Sequence, residues 1–174
     1  MTRKVIAITL ILLVFLAGCS QTNEAVAKEA EEYLVSQLEV FKSADKEQTD
    51  AALGEAGNEL GGVDMSLYYK HFDYEIVKTS ATEDTAQVKI KVKNLDFATL
   101  MEDYYEALMP YLASSGIMDP EKPAEILKEL VESGEYKVIE ADATIPLTKK
   151  DGNWTIDNTE SFIEAILPGI EPII

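Results

Sequence analysis

The sequence contains one histidine, His71, which is the side chain best suited to exchange a proton near physiological pH. A carboxylate that orients the imidazole would complete an acid–base pair, and Asp64 and Asp73 lie nearby in the chain. The alternation around Phe72 and Tyr74 predicts a strand, however, and in a strand His71 and Asp73 share the face opposite these two aromatic residues. We therefore expect His71 to be an exposed residue at the start of a strand, and catalysis by His71 and Asp73 is the alternative.

Other catalytic and cofactor-binding patterns are missing from the sequence. No serine lies in a Gly-x-Ser-x-Gly turn. A zinc site would need several histidine or cysteine ligands, and the chain has one of each. Residues 151–153 lack the alternating oxygen ligands of a calcium loop, and the glycines within 54–62 are not followed by the Lys-Ser or Lys-Thr pair of a phosphate-binding loop. We expect no metal, no cofactor and no catalytic residue.

The single cysteine, Cys19, follows a segment with the features of a secretory signal peptide. Arg3 and Lys4 make a basic start, and residues 5–18 carry no charge. This uncharged segment is shorter than the roughly 18 to 20 residues of a membrane-spanning helix, and polar residues follow it at once. We predict that residues 1–18 are a cleaved signal peptide rather than a transmembrane anchor.

The four residues Leu16, Ala17, Gly18 and Cys19 resemble the lipobox of bacterial lipoproteins. The resemblance implies that Cys19 becomes the first residue of the mature protein and that its thiol carries a diacylglycerol group, whose acyl chains incorporate palmitate. Two acyl chains attach a protein stably to a membrane, whereas one binds only marginally. Residues 19–22 would then be a short tether, of which Ser20 to Thr22 reach roughly 10 Å, and it would hold the domain at the extracytoplasmic face of the cell membrane. The alternative is a lone buried cysteine in an ordinary secreted protein.

Composition limits the classes of partner. The chain has 15 Lys and Arg against 32 Asp and Glu, a formal net charge of −17, and loss of the two basic residues of the leader makes the mature chain −19. Nucleic acid and anionic lipid surfaces bind clustered basic side chains, so we expect no nucleic acid and no peripheral lipid contact by the folded domain. The acidity serves solubility or attracts a cationic partner. The 156 residues after the leader fit a single domain, 23–174.

Apolar residues at spacings of three and four predict helices. The longest covers Glu24–Lys42 and begins after Asn23, whose side chain suits a helix N-cap. The same spacing predicts helices over residues 96–113 and 120–132 and a short last helix capped by Thr159. In the polar, acidic stretch over residues 43–62 we predict a short helix near residues 45–53 and then a loop.

Alternation with a period of two predicts four strands in two hairpins. The first hairpin begins at Tyr69 and turns at residues 82–84, and the second joins residues 136–147 to 153–157 through the turn-forming pair Asp151-Gly152. Three lysines point outward from the second strand, as a solvated face or as a contact with an acidic face of the same or another chain: Lys89, Lys91 and Lys93. We expect an α+β fold with an antiparallel sheet of about four strands.

Two pairs of neighbouring tyrosines are candidates for a ligand or partner surface. Tyr68 and Tyr69 lie close to His71, and Tyr104 and Tyr105 lie in the helix over 96–113. Adjacent residues of a helix cannot both face one core, so the second pair suggests a lid or a partner groove. The alternative is a helix buried between the sheet and a neighbouring element.

The order of these elements, together with residues 86–96 of the second strand and the Lys-Asp-Gly-Asn-Trp-Thr-Ile run at 150–156, resembles a group of small lipoproteins of Gram-positive bacteria. These proteins have an NTF2-like or cystatin-like domain, and many are grouped only as domains of unknown function. The resemblance covers roughly residues 23–157. It implies a curved antiparallel sheet wrapped around the long helix. The two helices predicted between Asp96 and Glu132 exceed the minimal fold and form an insertion between the hairpins. Relatives use this fold either as an enzyme pocket or as a binding surface, so the fold alone does not decide the function.

We therefore expect a membrane-anchored, extracytoplasmic lipoprotein whose domain is a non-catalytic module that binds an envelope protein, a peptide or a small ligand. Two alternatives remain. One is a small pocket enzyme that uses His71 and Asp73, and the other is a passive structural lipoprotein of the envelope.

Overall fold

The structure, a computed structural model, describes residues 23–53, 64–114, 119 and 121–169. Over these ranges the chain forms six helices and a four-stranded antiparallel sheet, so the predicted α+β class is confirmed. The predicted signal peptide, residues 1–18, and the predicted tether, residues 19–22, lie outside the described residues. Along the chain the elements are α1 (Glu24–Lys42), α2 (Lys46–Leu53), α3 (Ser66–Tyr69), β1 (Asp73–Ala81), β2 (Thr85–Leu95), α4 (Phe97–Ser114), α5 (Lys122–Glu132), β3 (Val138–Lys150), β4 (Asn153–Ile156) and α6 (Thr159–Ile166).

Helix α1 begins at the predicted cap. The side-chain oxygen of Asn23 accepts a hydrogen bond from the Val26 N–H at 3.4 Å, and Glu24 places a negative charge at the positive end of the helix dipole. The Asn23 N–H donates to the carbonyl oxygen of Ala81, the last residue of β1, at 3.2 Å. This bond fixes the start of α1 at one end of the sheet. The buried side of the helix consists of Ala27, Ala30, Leu34, Leu38 and Phe41.

The sheet has the order β1-β2-β3-β4, and one of its faces forms the core. On β2, the alternating residues Val88, Ile90 and Val92 are fully buried, and Val88 lies opposite Ile145 of β3. Helix α1 packs against β1 and β2, and α6 packs against β2 and β3, so the two helices cover this face. The other face carries mostly exposed polar side chains.

Both predicted hairpins are present. Asp151 and Gly152 have φ angles of 51° and 83°, the positive values that a two-residue type I′ turn requires. In the first hairpin the Thr82 N–H donates to the carbonyl oxygen of Thr85 at 2.8 Å. Helices α4 and α5 form the predicted insertion between the hairpins and pack against each other.

The predicted start of the first strand at Tyr69 is wrong. Tyr69 is the last residue of α3, and β1 begins at Asp73. Tyr68 and Tyr69 belong to a short helix whose neighbouring side chains diverge by about 100°. Both are buried because different elements cover them: Tyr68 packs on Phe97 of α4, and Tyr69 packs on Phe41 of α1. A β-bulge between Ile76 and Lys78 also shifts the register of β1 and leaves Val77 47% exposed.

The predicted cap of the last helix is also displaced by one residue. The Asn158 side chain, rather than that of Thr159, accepts a hydrogen bond from the Ser161 N–H, at 3.1 Å. Asparagine caps a helix at least as well as threonine, so the earlier of the two available oxygens takes the role.

Candidate functional site

His71 and Asp73 are both exposed, as expected, although His71 lies in a turn two residues before β1 begins at Asp73. The Asp73 carboxylate accepts a hydrogen bond from the Lys42 Nζ at 2.7 Å, and no hydrogen bond joins it to His71. This bond to the ammonium group lowers the pKa of Asp73 below its ordinary value, with smaller contributions in the same direction from the Tyr74 N–H and Lys93. A carboxylate held by a lysine and more acidic than usual is poorly suited to orient or relay a proton for an imidazole.

Replacing Lys42 with methionine should raise the pKa of Asp73 toward its ordinary value near 3.8, because the largest cause of its lowering is removed. A depressed folded-state pKa stabilises the fold at pH values above the unfolded pKa, and this contribution is lost as the pH falls through the folded pKa. The variant should therefore lose less stability than the parent on acidification below about pH 4. An NMR titration of the Asp73 carboxyl carbon measures the shift directly.

Lys28 gives a matched control for that titration. It lies on the same helix and pairs with Glu32 at 3.5 Å, so Lys28→Met should leave the pKa of Asp73 unchanged. An unchanged pKa of Asp73 in Lys42→Met would show that the ion pair does not hold the carboxylate in solution.

The structure places Tyr68 and Tyr69 in the core, so the expectation that they contribute to a binding surface is corrected. Both are fully buried, and their rings meet edge to face with centroids 5.2 Å apart. The Tyr68 hydroxyl donates to the carbonyl oxygen of Leu95 at 3.0 Å. Burial raises the pKa of both hydroxyls far above the usual range, so neither ionises. These residues position α3 against the end of β2 rather than meeting a ligand.

Tyr104 and Tyr105 differ in burial, unlike Tyr68 and Tyr69. Tyr104 is buried and faces the core, whereas Tyr105 is 52% exposed and touches the Tyr104 ring with centroids 5.5 Å apart. Met109 and Leu112 lie within about 40° of Tyr105 around the helix axis and are 59% and 50% exposed. We call Tyr105, Met109 and Leu112 the α4 strip.

The sequence pattern located this strip only in part. Leu112 falls at helical spacing from Leu108 and was expected on the inner side, but it is half exposed. It lies about 80° around the helix axis from the buried Tyr104, which places it at the border between the buried and the exposed side of α4. Tyr105, Met109 and Leu112 are spaced by four and three positions, and this spacing is the sequence signal that places them together on one side of the helix.

The surroundings of the α4 strip are acidic. Glu102 and Glu106 are exposed on the same helix, and one turn of helix separates each from a member of the strip. Near the end of α4 the Lys122 Nζ lies 5.1 Å from the centre of the Tyr111 ring, which connects α4 to the start of α5. The arrangement is an exposed apolar surface bordered by carboxylates, which suits contact with an apolar surface that carries basic side chains at its edge.

The outward lysines of β2 contact an acidic residue of the same chain. The Lys93 Nζ lies 2.8 Å from a carboxylate oxygen of Glu140 on β3, and the Lys91 Nζ lies 3.7 Å from the other. Of the alternatives considered for the outward lysines, the structure therefore shows contact with an acidic residue of the same chain for Lys91 and Lys93. Lys89 is exposed and lies opposite Lys78 of β1.

Among the residues that the structure describes, no group of three or more His, Cys, Asp or Glu side chains is placed to hold a metal ion. Within the same ranges, no helix combines the length and the apolar character needed to cross a bilayer. Cys19 and the lipobox residues Leu16, Ala17 and Gly18 lie outside the described residues.

No protein-family model matches the chain, and no curated protein matches it either. Among solved structures, the chain is similar to the crystal structure of a putative lipoprotein, YcdA, from Bacillus subtilis. The two share 17% sequence identity with a TM-score of 0.40, and the match covers 73% of this chain. It spans 44% of the length of the Bacillus protein, so more than half of that protein has no counterpart in the match.

Proposed function

We propose that this chain is a lipoprotein of the outer face of the cell membrane, anchored through Cys19, whose NTF2-like or cystatin-like domain binds a protein of the envelope without catalysis. The leader over 1–18 and the lipobox Leu16, Ala17, Gly18 and Cys19 support the anchor. The long helix α1, packed on the first hairpin of a four-stranded antiparallel sheet made of two hairpins, supports the domain type. The exposed apolar residues of the α4 strip are the observation that supports the binding role.

Three large apolar side chains that are each half exposed on one helix are costly to keep in water. The same helix buries Phe97, Leu100 and Tyr104 in the core, so the strip is not needed to hold α4 in place. A partner that covers the strip would remove its apolar surface from water, and such patches on soluble domains commonly mark interaction sites.

The partner that fits this surface is a protein rather than a bilayer. A formal charge of −17 and the carboxylates of Glu102 and Glu106 beside the strip oppose approach to anionic headgroups. A protein can offer an apolar centre with lysine or arginine at its border, which satisfies both the strip and its acidic border.

A photo-crosslinking benzoylphenylalanine in place of Tyr105 tests the proposal in intact cells. We expect one ultraviolet-dependent adduct of defined mass, and we expect the double substitution Met109→Ser and Leu112→Ser to abolish it, because the apolar contact is then lost. The same group in place of Lys78, on the polar face of the sheet, should form no such adduct. Equal adducts from both positions, or none from position 105, would contradict a partner at the α4 strip.

The alternative of a pocket enzyme receives no support from the arrangement around His71. Its proposed partner, Asp73, is paired with Lys42, and both ends of that pair are about half exposed. A catalytic acid–base pair works best where water is excluded and the base is held by its own partner.

A further inference from the structure

Strand β3 has an edge that no described residue pairs with over most of its length. On one side β3 pairs with β2 along its whole run from Val138 to Thr148. On the other side β4 pairs only with residues 147–150. Residues 138–146 therefore present an open sheet edge within the described part of the chain.

The direction of the backbone groups along this edge follows from the ladder. The carbonyl oxygen of Pro146 accepts a hydrogen bond from the Asp157 N–H at 3.0 Å, on the side away from β2. In an antiparallel ladder alternate residues direct both backbone groups to the same side. Glu140, Asp142 and Thr144 therefore direct their N–H and C=O groups to the open side. Pro146 has no N–H and ends the row of donors beside β4.

Residues 141–144 of the open edge form one wall of a groove of about 320 Å³. The other wall is α6 with the residues that follow it, and its lining includes Ser161, Glu164 and Ala165. The inward side chains of this part of β3 are only Ala141 and Ala143, which leave space beside the strand for side chains of another segment. A sheet edge that runs beside a helix is the arrangement in which extended peptides add a strand to a domain.

The negative charge of the groove favours a cationic peptide. Asp142 and Glu164 both line it, and neither forms an ion pair with another residue that the structure describes. Lys91 lies opposite Asp142 in the ladder, but its ammonium group is directed to Glu140. The groove thus has two carboxylates available to cationic side chains.

We propose that the open edge of β3 binds an extended, cationic peptide segment as a fifth strand, in the groove between β3 and α6. The main chain of the peptide bonds to Glu140, Asp142 and Thr144, and its lysine or arginine side chains meet Asp142 and Glu164. This site is separate from the α4 strip and does not depend on the function proposed for it.

Hydrogen exchange on the full chain tests the edge without any ligand. We expect the amides of Asp142 and Thr144 to exchange fast and those of Ala141 and Ala143, which bond to β2, to exchange slowly. Slow exchange at all four positions would overturn the proposal, because the edge would then be occupied already, by the chain itself or by a second copy.

The binding test uses a decapeptide in which pairs of lysines alternate with pairs of valines as the probe, so that lysines point to both faces of the added strand. Adding it should slow exchange at Asp142 and Thr144. Methylation of alternate peptide nitrogens, in the frame that faces β3, should weaken binding by about tenfold or more, because a strand that cannot donate cannot join the sheet. Equal binding of the methylated peptide would mean attachment by charge alone and would refute strand addition.

Two sets of variants locate the site on the protein. Thr144→Pro removes an outward N–H that bonds to no described residue and should weaken probe binding by about tenfold, whereas Thr144→Val keeps the N–H and should bind as the parent does. Asp142→Asn and Glu164→Gln should each weaken binding by about two- to fivefold. Glu75→Gln, on the outer face of β1, is the matched control. If Thr144→Pro fails to fold, the methylated probe still tests strand addition, and the two charge variants still test the position of the site. Binding of the probe by Asp142→Asn and by Glu164→Gln that equals binding by the parent chain would contradict the assigned groove.

Discussion

Replacing Phe41 with alanine should lower the free energy of unfolding by about 3 to 5 kcal/mol. Phe41 is 1% exposed, and its ring lies 5.0 Å from that of Tyr69, 6.3 Å from that of Phe72 and 5.9 Å from that of Phe162. Phe41 of α1 therefore contacts α3, the residue that precedes β1, and α6 at the same time. Domains of this size are stable by only about 5 to 15 kcal/mol, so the substitution would remove a large share of the total.

Urea unfolding of the chain from residue 20 onward measures this loss. Phe41→Leu keeps most of the volume and should lose much less stability than Phe41→Ala. Tyr105→Ala, on the exposed side of α4, should change the free energy of unfolding by no more than about 0.5 kcal/mol. A loss for Phe41→Ala as small as that of Tyr105→Ala would contradict a core centred on this aromatic cluster.

Replacing Cys19 with serine should abolish lipid attachment completely. The proposed linkage is a thioether to diacylglycerol, and a hydroxyl group does not replace the thiol in it. The chain has no other cysteine to take the lipid. Two acyl chains hold a protein on a membrane through roughly 0.8 kcal/mol for each buried methylene, so their loss removes the whole proposed anchor.

Incorporation of radiolabelled palmitate measures the attachment. The parent chain should carry the label and Cys19→Ser should carry none. Ser20→Ala changes the adjacent residue without touching the thiol and should keep the label. Label retained by Cys19→Ser would disprove the assignment of the lipidation site.

Local patterns in the sequence were sufficient where an element is decided by neighbouring residues. The 3.6-residue spacing of α1, its Asn23 cap and the Asp151-Gly152 turn each depend on residues only a few positions apart, and all three are confirmed. The alternation in β2 also held, because a strand with one buried face repeats every two residues.

Features that depend on residues distant in the chain could not be predicted from local sequence patterns. Tyr68 can be buried because its hydroxyl reaches the carbonyl oxygen of Leu95, 27 positions along the chain. The bulge beside Val77 is set by the register between β1 and β2, and alternation alone does not predict it. The open edge of β3 depends on β4 being only four residues long, and the groove depends on where α6 returns.

The hydrogen bond from the Asn23 N–H to Ala81 determines how the domain would stand on its membrane. If Cys19 carries the lipid as we propose, the bilayer would lie near the end of the sheet that carries both hairpin turns, where Asp84 accepts a hydrogen bond from the Lys149 N–H. Strand β2 runs from there for eleven residues, a length of about 35 Å. Leu95 and the start of α4 would then lie at the far end of the sheet from the membrane, at up to that height, so a partner that reaches this end must extend well beyond the headgroups.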